Sequence, residues 1–194
     1  MTPEQVHQEF KAADAILKGH FILSSGLHSD TYMQCARVMM DAKRSERLCR
    51  ALADKIRAAN LGQIDLVVAP AMGGVIVGYE LARQLGVEGI FCERQDGQFT
   101  FRRGFSFPKG SKILVCEDVV TTGKSSLEAF KCIEEHGGEV IGEASFVNRS
   151  GTDNPLPVPL ISLLQLDVKT FDTDHIPHDL KDTPAIKPGS RWLK

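Results

Sequence analysis

The sequence has no CxxC pair, and its five cysteines, Cys35, Cys49, Cys92, Cys116 and Cys132, are odd in number and widely spread. That pattern offers neither a structural zinc site nor a disulfide framework, and it suits a reducing compartment, so a cytoplasmic location is expected. Nowhere do about 18 apolar residues run uninterrupted, so neither a transmembrane helix nor a membrane partner is expected. The opening Met1-Thr2-Pro3-Glu4-Gln5 shows no basic stretch followed by an apolar run, so no secretory signal is expected. Excess positive charge is also missing. The formal net charge is −2, which argues against nucleic acid as a partner, because displacing its counterions takes a basic surface. A local arginine cluster can still serve a small anion. His20, His28, His175 and His178 are scattered without a spaced carboxylate partner, so no metal site is expected from them. Two familiar phosphate motifs fail as well. Gly123-Lys124-Ser125 imitates the end of a P-loop, but the first glycine would fall at Asp118, and Gly73, Gly74 and Gly78 do not fit GxGxxG.

What is present suits one globular domain spanning residues 1–194, with 42% hydrophobic and 25% charged residues. Val6, Phe10, Ala13 and Leu17 recur at helical spacing and predict a helix over 4–17. Two short extended pieces follow, Phe21-Ile22-Leu23 and Tyr32-Met33, joined by the turn Ser24-Ser25-Gly26. Asp41 is placed to cap a longer helix with Leu48, Leu52 and Ile56 buried, ending near Asn60 and Gly62. From there strands at 64–69, 89–92, 113–116, 140–147 and 160–166 alternate with helices at 75–85 and 123–136. No repeat or low-complexity segment interrupts them. Such alternation predicts an α/β fold, a doubly wound and mostly parallel sheet flanked by helices. Two stretches fall outside the pattern. The tail after Val168 reads as loop. Residues 94–109 form a polar, basic insertion, with Gln98-Phe99-Thr100-Phe101 alternating like a strand before Arg102-Arg103-Gly104, and an insertion of that kind is either functional or a solvated ribbon.

The densest chemistry lies at residues 113–126. An apolar strand, Ile113-Leu114-Val115-Cys116, leads into Glu117-Asp118 and then Val119-Val120-Thr121-Thr122-Gly123-Lys124-Ser125-Ser126 at a helix start. Ligands of doubly wound sheets sit beyond the carboxyl ends of the strands. A helix N-terminus offers free N–H groups and a positive dipole end to a phosphate. Gly123 lets the backbone come close, and the Thr121, Thr122 and Ser125 hydroxyls add donors. The two acids suit a ligand that also carries vicinal hydroxyls or a divalent cation. A ribose 5-phosphate meets both demands. The plainer alternative is a helix merely capped by Asp118 or Thr122.

Residues 113–126 resemble the phosphoribosyl-pyrophosphate (PRPP) signature of the type I phosphoribosyltransferases. The resemblance implies that Glu117 and Asp118 hold the ribose 2- and 3-hydroxyls. It also implies that Val119, Val120, Thr121, Thr122, Gly123, Lys124 and Ser125 line the 5-phosphate loop. Four further segments are similar to the orotate phosphoribosyltransferases, so the likeness covers most of the chain. Residues 19–32 resemble their N-terminal hood, which implies a hood over the base site within residues 1–40, with Ser25, Gly26 and Tyr32 near orotate. Ala71, Met72, Gly73 and Gly74 fall where that family has its pyrophosphate loop. Residues 94–109 fall where it has a mobile catalytic loop, bringing Arg94, Arg102 and Arg103. Phe146-Val147-Asn148-Arg149 resembles the strand end whose arginine contacts the orotate carboxylate, with Thr121 close by. A guanidinium is well shaped to bind a carboxylate through two hydrogen bonds. The chain departs from the best-known members in three places. Ser24 and Gly73 stand where lysines are common, and Arg102-Arg103 stand where a lysine and a histidine are common. This resembles a subgroup whose loop reads Thr-Phe-Arg-Arg-Gly-Phe, and it leaves open which cation neutralises pyrophosphate.

The resemblance implies a glycosyltransferase of pyrimidine biosynthesis, in which orotate and PRPP give orotidine 5-monophosphate and pyrophosphate. It further implies Mg²⁺ carried by PRPP rather than by side chains, and a homodimer whose catalytic loops reach the neighbouring site. Two other readings stay open at this level: a phosphoribosyltransferase for a purine or other base, and a non-catalytic regulator that senses PRPP.

Overall fold

The computed structural model describes residues 1–23 and 26–187. The chain opens with α1 (Pro3–Ala12), the strands β1 (Ile16–Ile22) and β2 (His28–Met33), a short α2 (Cys35–Met39) and the long α3 (Ala42–Ala59). An alternating run follows: β3 (Leu66–Pro70), α4 (Gly74–Leu85), β4 (Glu88–Gln95), β5 (Gln98–Thr100), β6 (Lys112–Val120), α5 (Lys124–Glu135), β7 (Glu139–Asn148) and β8 (Leu160–Gln165). The last part holds β9 (Thr170–Phe171), a 3-10 turn at Thr173–His175 and the short α6 (His178–Lys181).

Local chemistry explains most boundaries. Asp41 accepts the N–H groups of Lys43 and Arg44 and so starts α3, while Asn60 ends it at a left-handed φ of 58°. The helix predicted over 4–17 stops at Ala12. Asp14 takes a left-handed φ of 49° there, which no right-handed helix continues through, and Leu17 joins β1 instead. The strand predicted to end at Cys116 runs on to Val120, because β7 stays paired with it as far as Val120↔Asn148. Glu117 and Asp118 therefore belong to the strand. The tail predicted as loop also gains structure: β9 pairs with β2, and Ile186 bridges to Phe21. Its apolar periodicity is too short to show, since the pairing partner lies far away in sequence.

β3, β4, β6, β7 and β8 run parallel, with β5 turned back against β4, in the order β5-β4-β3-β6-β7-β8. From β3 the chain winds outward to β4, and from β6 it winds the other way to β7 and β8. The winding thus reverses between β3 and β6, and the carboxyl ends of those strands part around a crevice. One face of the sheet packs α1, α3 and α4 around Phe10, Leu52, Leu81, Leu114 and Phe146. The other packs α5 around Val68, Ile113, Val115, Phe130 and Ile133. α1 is part of the first core, with Phe10 edge-on to Phe146. β1, β2 and β9 form a separate small antiparallel sheet. Among the described residues no helix is long and apolar enough to cross a membrane.

Candidate active site

The end of β6 and the start of α5 form the floor of the crevice. Glu117 is buried and Asp118 half-buried. Burial drives the Glu117 carboxyl well above the ordinary range, Asp118 and Glu143 add to this, and Arg94 pulls back. Burial also raises Asp118, against the N–H of Val119, which donates to Asp118 Oδ1 at 2.9 Å, and against Arg149. Thr121 to Gly123 then bend the chain into α5. Gly123 holds the cap position at a left-handed φ of 75°, and no side chain caps there. A long 3.4 Å contact runs from the Lys124 N–H to Thr122 Oγ1. The simple capping alternative thus finds little support, since no side chain caps α5 and Asp118 Oδ1 accepts from Val119 instead. Lys124 and Ser125 stand exposed on the first turn beside the half-buried Thr121, while Val119 and Val120 finish β6.

Across the crevice, Ala71-Met72-Gly73-Gly74 join β3 to α4, with a cis peptide bond between Ala71 and Met72. This loop packs directly on the acids. A Cβ at Gly73 would lie 2.8 Å from Asp118 Oδ1, and one at Gly74 would lie 2.7 Å from the Cys116 carbonyl oxygen. The close approach gives a physical reason for glycine at this position: any side chain leaving Gly73 must displace Asp118. Two turns and two acids therefore share one crevice.

The third wall comes from the end of β7 and the small sheet. Arg149 follows β7, and its N–H donates to the Val120 carbonyl at 2.8 Å. Burial lowers the Arg149 pKa, while Tyr32, Cys35 and Asp118 pull it back up. Tyr32 is raised by burial and by Asp118, with Arg149 opposing. These groups thus lie within electrostatic reach of one another, although 32 and 149 lie far apart in sequence. Gly26 is exposed at the turn before β2. Ser24 and Ser25 lie outside the described residues.

The arginines of the basic insertion divide. Arg94, on β4, ion-pairs with Glu128 of α5, donates to the Gly97 carbonyl and lies 4.2 Å over the Phe99 ring. Its field reaches Glu117. Arg102 and Arg103 instead pair with Glu93 at 3.9 and 3.3 Å, and Arg103 lies over Phe91. They are held on β4 and not gathered with Glu117 and Asp118.

Sequence reasoning passed over two residues. Asn148 is buried and donates to the carbonyls of Thr152 and Asp153, while its Oδ1 accepts from Ser150, so it ties down the loop that carries Arg149. Asn followed two residues on by Ser is an Asx-turn signal that was available. Glu143 is buried behind Glu117, and only its charge within the apolar run at 140–147 hinted at it. Among the described residues no group of three or more His, Cys, Asp or Glu side chains is arranged to hold a metal alone. The donors that do face the crevice are carboxylates and hydroxyls, which suit a hard oxygen-seeking cation brought in on phosphate oxygens.

Comparison with known proteins agrees with this geometry. The phosphoribosyl transferase domain family matches residues 39–178, well over half of the chain. A protein named orotate phosphoribosyltransferase from Rhizorhabdus wittichii is 54% identical over 191 residues, covering 98% of this chain and 97% of its own. One of the same name from Methylorubrum populi is 50% identical over 194 residues, covering 100% and 98%. The crystal structure of orotate phosphoribosyltransferase from Aeropyrum pernix superimposes with a TM-score of 0.69 at 25% identity, over 82% of this chain and 93% of that one. With the PRPP signature lying at the switch point between β3 and β6, the chain belongs to the phosphoribosyl transferase family and, within it, to the orotate phosphoribosyltransferases.

Proposed function

We propose that the crevice transfers ribose 5-phosphate from PRPP to orotate, giving orotidine 5-monophosphate and pyrophosphate in pyrimidine biosynthesis. The observation that carries this is that Arg149 and Tyr32 feel each other's charge and that of Asp118, which lies on the strand leading into the uncapped α5. A purine offers no carboxylate for that guanidinium, whereas orotate does. Glu117 and Asp118 accept the ribose hydroxyls, and the 121–125 turn holds the 5-phosphate on its amides. The 71–74 loop adjoins Asp118, and in this reading it receives the pyrophosphate while the base lies on the other side of C1. The C1–O bond breaks early, orotate that has lost its N1 proton to solvent attacks through N1 the opposite face of an oxocarbenium-like ribose, and charge builds on the leaving group. Mg²⁺ arriving with PRPP, beside the Glu117 and Asp118 carboxylates, would supply neutralisation of that charge. Arg94, Arg102 and Arg103 supply further positive charge, the last two by leaving Glu93 as the 94–109 segment closes and excludes water.

Residues 1–40 divide in this reading. α1 braces the core, and the β1-β2 hairpin forms the hood over the base. A second copy of the chain covers the stripe Met72, Ile76 and Tyr79, which are 82%, 55% and 69% exposed at helical spacing on and before α4. The stripe begins in the 71–74 loop, so a homodimer seated there would place one protomer's insertion near its partner's crevice. The reduced cysteines suit the cytoplasm. The deciding experiment follows pyrophosphate release from PRPP and Mg²⁺ with orotate, adenine, guanine or hypoxanthine. Release with orotate alone is expected. Release with a purine, or with no base, would overturn the reading.

A further inference from the structure

One buried acid has no part in the reaction just described. Glu143 lies on β7, opposite Val115 of β6. Residues two apart on a strand share a face, so Glu143 looks to the α5 side of the sheet, as Glu117 does. Its side chain is 0% exposed. Ser126, in the first turn of α5 and 2% exposed, donates its Oγ–H to Glu143 Oε1 at 2.8 Å, while Oε2 has no hydrogen-bond partner. An ionised carboxylate left half-satisfied in such a place carries a heavy desolvation cost, and a neutral acid carries far less.

We propose that Ser126 and Glu143 form a positioning unit for the sugar-phosphate site, in which Glu143 acts as a neutral, proton-bearing acid braced between β7 and the opening turn of α5. The inference rests on the phosphoribosyl reading above. Two consequences follow from the geometry. The hydrogen bond fixes the turn whose amides hold the phosphate, and the proton keeps negative charge from building up behind Glu117. Burial raises Glu143 to about 8, with the Ser126 hydrogen bond pulling it down. The groups around it supply no cation among the described residues: β6 brings Glu117 and Cys116, α5 brings Ser126, and β8 sets Leu160 opposite. As pH rises past that range Glu143 gains a charge, and a phosphate at the start of α5 is bound less well.

The test is the calorimetric Kd of Mg²⁺–PRPP between roughly pH 7 and 9.5, above the second phosphate ionisation near 6, in the wild type, Glu143→Gln and Ser126→Ala. Wild-type affinity should fall at least about threefold across that range, as a like charge appears near the ligand. Glu143→Gln should lose its share of that dependence. Ser126→Ala should move the break to higher pH, because the bond it removes is what lowers the acid. A Gln variant that keeps the full wild-type fall, or an Ala variant whose break moves down or stays put, overturns the proposal. Should Glu143→Gln not fold, the direction of the Ser126→Ala shift decides. A wild type that binds no PRPP near pH 7 would instead remove the functional reading itself.

Discussion

In the proposed reaction Arg103 carries the heaviest demand on a single side chain. It sits at a left-handed φ of 60° in the turn after β5, exposed, with its guanidinium on Glu93 and over Phe91. Such a surface ion pair is worth little, on the order of 0–1 kcal/mol, so a pyrophosphate competes for the guanidinium easily. Arg103→Ala should therefore lower turnover by roughly 10²-fold through loss of transition-state charge stabilisation. Steady-state pyrophosphate release measures this, and unchanged turnover would remove the insertion from the mechanism. Glu143 makes the opposite case, a side chain whose charge the fold resists. Its folded pKa, about 8, lies above the ordinary value of 4.5. The fold therefore prefers the protonated form, and stability that is intact below the unfolded pKa is lost as pH climbs from there to the folded value. The loss approaches roughly 1.4 kcal/mol per pH unit within that window. Denaturation midpoints taken at both ends of the window should diverge less in Glu143→Gln than in the wild type. Equal divergence would mean that the acid is not held neutral.

At the scale of elements, the site depends on how closely α4 approaches β6. Gly74 opens α4 against the Cys116 carbonyl, where an added Cβ would meet that oxygen at 2.7 Å, and Gly78 packs on Ala69 of β3 and lies beside Cys116. Gly74→Ala should push the helix off the sheet, costing roughly 1–3 kcal/mol and separating the 71–74 loop from Asp118. A lower melting temperature and a raised KM for PRPP, with orotate KM little changed, are the expected readouts. A variant with wild-type melting and PRPP KM would show that the contact yields without consequence. The glycines themselves were plain in the sequence. That two of them touch β6 was not, because the strand register that brings Cys116 beside them is a tertiary fact.

For the whole molecule, the exposed stripe Met72, Ile76 and Tyr79 is the proposed seat of a second copy. Ile76→Glu puts a charge in the middle of that stripe, and a desolvated unpaired charge at an interface centre is strongly unfavourable. Sedimentation should show the wild type as a dimer and the variant as a monomer with reduced turnover. A monomeric wild type, or a variant still dimeric, would place the interface elsewhere. The same scale explains the reach of the tail. β9 and Ile186 pair with β2 and Phe21, so the far end of the chain steadies the sheet that carries Tyr32.

Composition, periodicity and capping residues by themselves determined the alternating α/β order, the start and end of α3, and the run from Ile113 to Ser126 that names the chemistry. These are local properties, written in residues a few positions apart. Tertiary structure alone decided what they face. It carried β6 past Cys116 by pairing it with β7, and it stopped α1 at Asp14. It brought Arg149 and Tyr32 within electrostatic reach, parked Arg102 and Arg103 on Glu93, and buried Glu143 where its charge is felt by Glu117. Strand order and register bring together residues separated by tens of positions, and no pattern of neighbours encodes which of them will meet.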